Sequence, residues 1–541
     1  MRRKTFSLLA LTLILAACAP EPTPAPPLPP GPPVTIQLLD VSDWHAQLDP
    51  LTIDTKEVGG AAVLSAYFKK DRAQNPNTLT LTAGDAFGAS PPLASFFDEI
   101  PAVLAMNAMG FDADTLGNHN FDKGTAFLQT LIDKANFSYL SANLSNLSSN
   151  LNKVQPYKIF DVGGVKVAVI GLTNPEAPTL VSPSAFGTIK ITDPVAAATQ
   201  ARTDAKAQGA QVFVVLTHMG VEAKDPITGA VSGPLISLAN NLQGFDVILG
   251  DHTNFQYSGT IGGALVVENL SKGASYARVN LTYDPATKSV TKSANTFVTP
   301  FASEVTPDPA VVQLLAPYRT QLATQLDGKI GVATDTFPRG NNIERLGEVA
   351  LGNLIADAYR TTYSTQLAIV NGGAIRSSLP SSYAPQDKTL RRPAPGYQPG
   401  PPYDIVKGDI YSVLPFGNTV VTRTVTGSQL YAALENSVSA LPGANGRFVQ
   451  ISGFSYTYDV SKPVGSRVVG VKLDSGAAIQ KGSDTYTLAL PDFTNEGGDG
   501  YTMLADGQGV TREPDALVLL NYVQKLGTIT PTVGQRISAV K

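Results

Sequence analysis

Thr78-Leu79-Thr80-Leu81-Thr82-Ala83-Gly84-Asp85 is a short run of β-formers that ends on a glycine and a carboxylate. Its length and residue types are those of a buried strand, and Gly-Asp is where such a strand gives way to a loop. The arrangement recurs along the chain. Val34 to Leu39 precedes Asp43-Trp44-His45, Val212 to Leu216 precedes Thr217-His218-Met219-Gly220, and Val247 to Leu249 precedes Gly250-Asp251-His252-Thr253-Asn254. A further polar motif is Gly117-Asn118-His119-Asn120-Phe121-Asp122, and these motifs hold all 4 histidines of the 541-residue chain. Helix-compatible segments separate the runs, Val165 to Ile170 among them, from Val34 to about Leu281. The alternation predicts an α/β fold with buried strands and a site beyond their carboxyl ends.

Hydrophobic residues make up 43% and charged residues 16% of a chain too long for one ordinary domain, so two domains are expected. A formal net charge of −4 excludes a general binder of nucleic-acid polymers, which would carry a basic face. At the N-terminus, Met1-Arg2-Arg3-Lys4 is followed by an apolar run from Phe6 to Ala17 that ends in Leu15-Ala16-Ala17-Cys18. The run is too short to span a bilayer and resembles a bacterial lipoprotein signal, residues 1–17, with Cys18 as the lipidated first residue of the mature chain. An extracytoplasmic, membrane-anchored lipoprotein is therefore expected. Cys18 is the only cysteine, so no intrachain disulfide can form. Nine prolines among the fifteen residues from Ala19 to Pro33 favour an extended polyproline spacer of about 3.1 Å per residue, making 18–33 a linker.

The first folded region spans 34–305. A helix-prone stretch, Pro309 to Leu326, lies in a connector at 306–340 and leads to a second region at 341–541. That region carries Glu344-Arg345-Leu346-Gly347-Glu348, Asn371-Gly372-Gly373-Ala374-Ile375-Arg376, Leu414-Pro415-Phe416-Gly417-Asn418 and the stretch from Asp492-Phe493 to Asp499-Gly500-Tyr501. Ser377 to Tyr403, rich in Pro and Ser, reads as an exposed surface loop.

The motifs of the first region supply nitrogen and oxygen ligands of the mixed kind that suits two divalent ions, Zn, Mn or similar. Ions about 3.5–4 Å apart need a bridging anion, a part that the Asp85 carboxylate can play. Asp43 and His45, two residues apart, lie on one side of an extended segment and can meet one ion. Asn118, His218 and His252 would complete the other. His119, next to Asn118, would then turn its ring away from that ion and towards a substrate, with Asp122 accepting a hydrogen bond from the imidazole.

In this order the motifs resemble the 5′-nucleotidase family from about Val34 to the end. The resemblance implies an N-terminal four-layer α/β/β/α metallophosphoesterase sandwich of the calcineurin-like kind, a connecting helix and a C-terminal α/β substrate-binding domain. It makes Asp43, His45 and Asp85 ligands of one metal, Asp85, Asn118, His218 and His252 ligands of the other, and His119 with Asp122 the catalytic dyad. In the second region it implies that Arg345, Asn371 and Arg376 hold the phosphate end and base of a nucleotide. Phe416 and Phe493 would sandwich the base and Asp499 would hold the ribose hydroxyls. Two positions depart from the family pattern: Asn120, where Glu is usual, and Asp251, where Gly is usual. Asn254 either completes the first metal's shell or supports it. The activity implied is release of phosphate from nucleoside 5′-monophosphates by a hydroxide held between the ions and attacking in line. Nucleotide sugars, dinucleotides and 2′,3′-cyclic nucleotides are alternative substrates of the same site, and a non-catalytic surface-binding lipoprotein is the remote alternative. Because metals and base would lie in different domains, the connector is also the expected hinge.

Overall fold

Alternate residues of the apolar runs belong to different cores. Ile36 and Leu38 of the strand Val34–Asp40 join one buried cluster and Leu39 another; Val212, Val214 and Leu216 are likewise separated from Phe213 and Val215 in the strand Val212–Thr217. A strand covered on both faces presents no polar side, so the runs read as nearly unbroken hydrophobicity.

In the computed structural model, which describes residues 31–182 and 184–540, these strands form two sheets packed face to face. The seven-stranded sheet runs in the order Ser289–Val298, Tyr276–Asp284, Val34–Asp40, Thr78–Thr82, Ala113–Thr115, Ser138–Leu140 and Val154–Gln155. The six-stranded sheet runs Tyr257–Ile261, Ala264–Glu268, Val247–Gly250, Val212–Thr217, Val165–Leu172 and Tyr157–Val162. Ile36, Leu38, Leu79 and Leu81 meet Val167, Val169, Val214 and Leu249 between the sheets. Helices Ala61–Gln74, Ile100–Met109 and Gly124–Ile132 cover the outer face of the first sheet, while Pro194–Ala207 and Pro234–Asn241 cover that of the second. The result is the α/β/β/α sandwich. Val34–Asp40, Thr78–Thr82 and Ala113–Thr115 pair in parallel, as do Val212–Thr217 and Val247–Gly250, so the carboxyl ends of each set share an edge.

The second region is built on a five-stranded sheet, Val449–Ser452, Leu367–Asn371, Thr485–Pro491, Thr419–Thr426 and Val510–Pro514. Helices Ala350–Tyr363, Lys407–Val413 and Asp515–Leu526 pack on one face. The helix Gly427–Ser437 and a four-stranded sheet containing Phe454–Tyr458 pack on the other.

The connector helix is Pro309–Leu326, started by Asp308, whose side chain accepts the Ala310 N–H. Val311, Leu315, Leu322 and Leu326 are buried in the same cluster as the helices of the first region, so the helix packs with that region. The chain crosses to the second region after it, between Asp327 and the strand Lys329–Ala333. Ser377 to Tyr403 is the expected loop, exposed over much of 386–402, but its anchoring residues are buried. Arg392 within it is only 2% exposed; its guanidinium pairs with Asp409 through two contacts of 2.7 Å and donates to the carbonyls of Ser381 and Tyr383. Tyr383 Oη and the Gln386 N–H both bond Asp327, so the segment is a strap over the crossing point. A buried ion pair and a surface pair have the same composition, which is why the sequence suggested open surface. Cys18, the signal-like segment and most of the proline-rich linker lie outside the described residues. No helix among the described residues is long and apolar enough to cross a membrane.

Candidate metal centre and substrate site

The five polar motifs meet at one end of the sandwich because each leaves a strand at the same edge. Their backbones turn sharply there. Asp43, His45, Asp85, His252 and Asn254 all have φ between 39° and 89°, in the left-handed region that a side chain ordinarily makes costly. Gly117 permits the closest approach. A Cβ at that position would lie 2.2 Å from Asp85 Oδ1, so only glycine lets the Asn118 loop close over Asp85. Asn120 Oδ1 then accepts the N–H groups of Gly117 and Asp85 at 2.7 and 3.2 Å, fixing the two loops to each other.

His45 and His218 are oriented through the nitrogen they do not offer to the centre. His45 Nδ1 donates to the Gly88 carbonyl at 2.8 Å, and His218 Nδ1 to the Ala83 carbonyl at 3.1 Å. His218 Nε2 consequently faces Asp85 Oδ2 at 3.0 Å and His252 Nδ1 at 3.2 Å. Burial, and then the neighbouring His218, pushes the His252 imidazole down to about 3. Burial alone would raise Asp85, but His218, His119 and His45 together hold its carboxylate below the ordinary range. The buried Oδ1 atoms of Asn118 and Asn254 have no hydrogen-bond partner.

His45, Asp85 and His119 form one group with donor atoms within 4.8 Å of one another, and Asp85, His218 and His252 form a second, so Asp85 is common to both. Asp43 lies at the first group, its Oδ1 3.7 Å from His45 Nε2. Imidazole nitrogens aimed at one carboxylate, beside amide oxygens lacking a donor, make a donor set that divalent cations satisfy; the residues present fit two of them. A third grouping, Asp43, His218 and Asp251, would need His218 Nδ1, which Ala83 already occupies. His119 is placed differently from the other histidines. Its Nδ1 lies 3.0 Å from both Asp122 oxygens, and its ring stacks on Phe416 with centroids 5.6 Å apart.

The second region brings Arg376 to this centre, its Nη2 3.1 Å from His45 Nε2 and its guanidinium over Phe416. Asn371 Nδ2 donates to Asp499 Oδ2 at 2.8 Å. Arg345 lies beside the buried Glu344, its Nε 3.6 Å from Glu344 Oε1. Phe493 packs against Gly498, beside the turn that carries Asp499, whereas Phe416 rests on His119.

Several neighbours escape sequence reading. Lys272 of the first region donates to the Arg376 carbonyl at 2.9 Å, and Arg339 Nη2 lies 3.1 Å from Glu344 Oε1. Glu268 accepts the N–H groups of Val221, Thr253 and Phe255, organising the His252 loop. A signal for Glu268 was available, since it ends the apolar run Ala264–Glu268 as Asp85 follows its own. Lys272 carried none: its partner is 104 residues away in sequence.

Comparison with known proteins fits this arrangement. Residues 329–506 match the model of the 5′-nucleotidase C-terminal domain. The chain is 28% identical over 552 residues to the snake venom 5′-nucleotidase of Gloydius brevicauda, covering 93% of this chain and 88% of that protein. A 5′-nucleotidase precursor from Thermus thermophilus superposes with a TM-score of 0.80 at 28% identity, over 94% of this chain and all of that one. The chain belongs to the 5′-nucleotidase family. As a 5′-nucleotidase-type enzyme it is a metal-dependent phosphoester hydrolase, with its candidate ligands in the sandwich and the family's C-terminal domain beside them. It is also 30% identical over 481 residues to endonuclease YhcR of Bacillus subtilis, but spans only 37% of the length of that protein.

Proposed function

We propose that the protein is an extracytoplasmic hydrolase that releases phosphate from nucleoside 5′-monophosphates, using two divalent ions. The observation that carries this reading is Asp85, common to two donor groups, the first of which includes His119, itself paired with Asp122 through its other nitrogen. Asp43, His45 and Asp85 would hold one ion, and Asp85, Asn118, His218 and His252 the other. Two such ions, when bound, supply Lewis-acid polarisation of the phosphoryl group and activation of water. Asp122 holds the His119 ring so that Nε2 can donate to a phosphoryl oxygen as negative charge grows there. Arg345 and Arg376 bind phosphate oxygens through their planar forks. Phe416 and Phe493 provide faces for any planar base, while Asn371 and Asp499 hold the base edge and ribose. With Phe416 resting on His119, a base can enter only when the regions separate, and the crossing at Asp327–Gly328 is the proposed pivot. A signal at residues 1–17 and lipid on Cys18 would anchor the enzyme outside the cytoplasm.

The test is chelator treatment of the chain from Val34 onward, followed by phosphate release from AMP with Mn, Zn, Co or Mg added back. Ion-restored release supports the reading; no phosphate from AMP together with no hydrolysis of UDP-glucose or 2′,3′-cyclic nucleotides, followed as their nucleotide products, overturns it in favour of a binding protein. One observation favours a second reading, a diphosphate-linked nucleotide. Lys272, Arg339 and Arg345 gather around the buried carboxylate Glu344, with Arg376 beside them nearer Asp43. A higher kcat/KM for UDP-glucose than for AMP would select it.

A further inference from the structure

Asp251 is fully buried, and its carboxylate touches three of the proposed ligands without being placed to bind an ion itself. Oδ2 accepts the Asp43 N–H at 2.9 Å and Oδ1 accepts the His252 N–H at 2.9 Å. The same His252 N–H is shared with Asp43 Oδ2 at 3.0 Å. Oδ2 also lies 3.7 Å from Nδ1 of His218, on the side of the ring turned away from Asp85. The loops that carry Asp43 and His252 come from strands of different sheets, 209 residues apart, and Asp251 is the clasp between them. No lysine or arginine forms an ion pair with it among the described residues. Its nearest charged neighbours are the His218 ring and the like-charged Asp43. A carboxylate buried beside another carboxylate is costly unless cations stand close by, and bound ions would be those cations.

We propose that Asp251 is a positioning residue for ion retention, adding a negative charge behind His218 and locking the Asp43 and His252 loops in register. This rests on the two-ion reading of the site and makes a claim about affinity that the reading does not contain. The Ala83 carbonyl holds the His218 Nδ1–H, so Asp251 acts on that ring through its charge and on Asp43 and His252 through their backbone N–H groups; loss of such supporting groups around ligands weakens ion binding by ~10- to 100-fold. Competitive titration against a chromophoric chelator, with Mn²⁺ and with Zn²⁺, should show that loss in both Asp251→Asn and Asp251→Gly. Thermal unfolding adds a readout that a purely structural role would not give: the rise in Tm on adding ion should shrink in each variant, whatever the ion-free Tm loses with the two backbone hydrogen bonds. Affinities within about threefold of the unsubstituted protein in both variants would overturn the inference. Weakening in Asn alone would do the same, since it would reflect an amide facing two backbone N–H groups. So would an equal fall of ion-free and ion-loaded Tm. If the unsubstituted protein bound neither ion, the two-ion reading would fall as well.

Discussion

The Nδ1 proton of His119 sits between two oxygens of Asp122, and that contact decides which nitrogen would face a phosphate under the proposed function. His119→Ala should lower kcat for AMP by ~10²- to 10⁴-fold while elemental analysis finds the same ion content. Loss of ions in that variant would make His119 a ligand and remove it from the dyad. Asp40, at the end of its strand, gives a prediction about stability. It is fully buried and neither carboxylate oxygen has a hydrogen-bond partner, and burial pushes its pKa up to about 8. In the unfolded chain the same group ionises near pH 4. Between these values the unfolded state binds fewer protons, so stability falls as pH rises, by up to about 1.4 kcal/mol per unit. The contribution is whole below about pH 4 and gone above about pH 8. Denaturant unfolding should therefore show Asp40→Asn gaining stability over the unsubstituted protein at pH 8 and gaining far less at pH 5.

At the scale of elements, the strap from Ser377 to Tyr403 depends on Arg392. Replacing this arginine by methionine leaves Asp409 buried without its partner, and Arg392→Met should cost ~3–5 kcal/mol in denaturant unfolding. The strap also marks the limit of what the sequence disclosed. Val212–Thr217 was visible as a strand because burial on both faces leaves it almost wholly apolar, and Thr78–Thr82 because it alternates β-branched threonine with buried leucine; the motifs behind them followed from that. Ala113–Thr115 was not visible. It has three residues, and its middle one, Asp114, is polar because the carboxylate accepts the Gly84 N–H inside the site. Lys272 and Arg392 were illegible for a related reason: an isolated basic residue has the composition of a solvated face, and only its distant partners distinguish it. The expected connector helix was legible as the helix-prone stretch Pro309 to Leu326. Which region it joins was not, because packing partners leave no local trace.

Over the whole molecule, the two regions meet at a seam where Phe96 and Tyr411 stand edge to face, with ring centroids 5.0 Å apart. If substrate enters by rotation about Asp327–Gly328, fixing this seam must stop turnover. In a chain beginning at Val34, which lacks Cys18, Phe96→Cys and Tyr411→Cys joined by a reductant-cleavable crosslinker should lose at least ~10-fold in AMP turnover and regain it on cleavage. Full activity in the crosslinked state would remove the need for rotation. The first sheet carries a different consequence. Its interior strand Val34–Asp40 lies between Thr78–Thr82 and Tyr276–Asp284, and the pairing of Val34 with Tyr283 closes a loop through nearly the entire first region. A nascent chain cannot complete that sheet until the last of these strands has left the ribosome, and such distant pairings form slowly. The ion pocket is thus a late product of synthesis. Under the proposed export route it would first exist on the far side of the membrane, so the metals abundant there, rather than those of the cytosol, would load the enzyme.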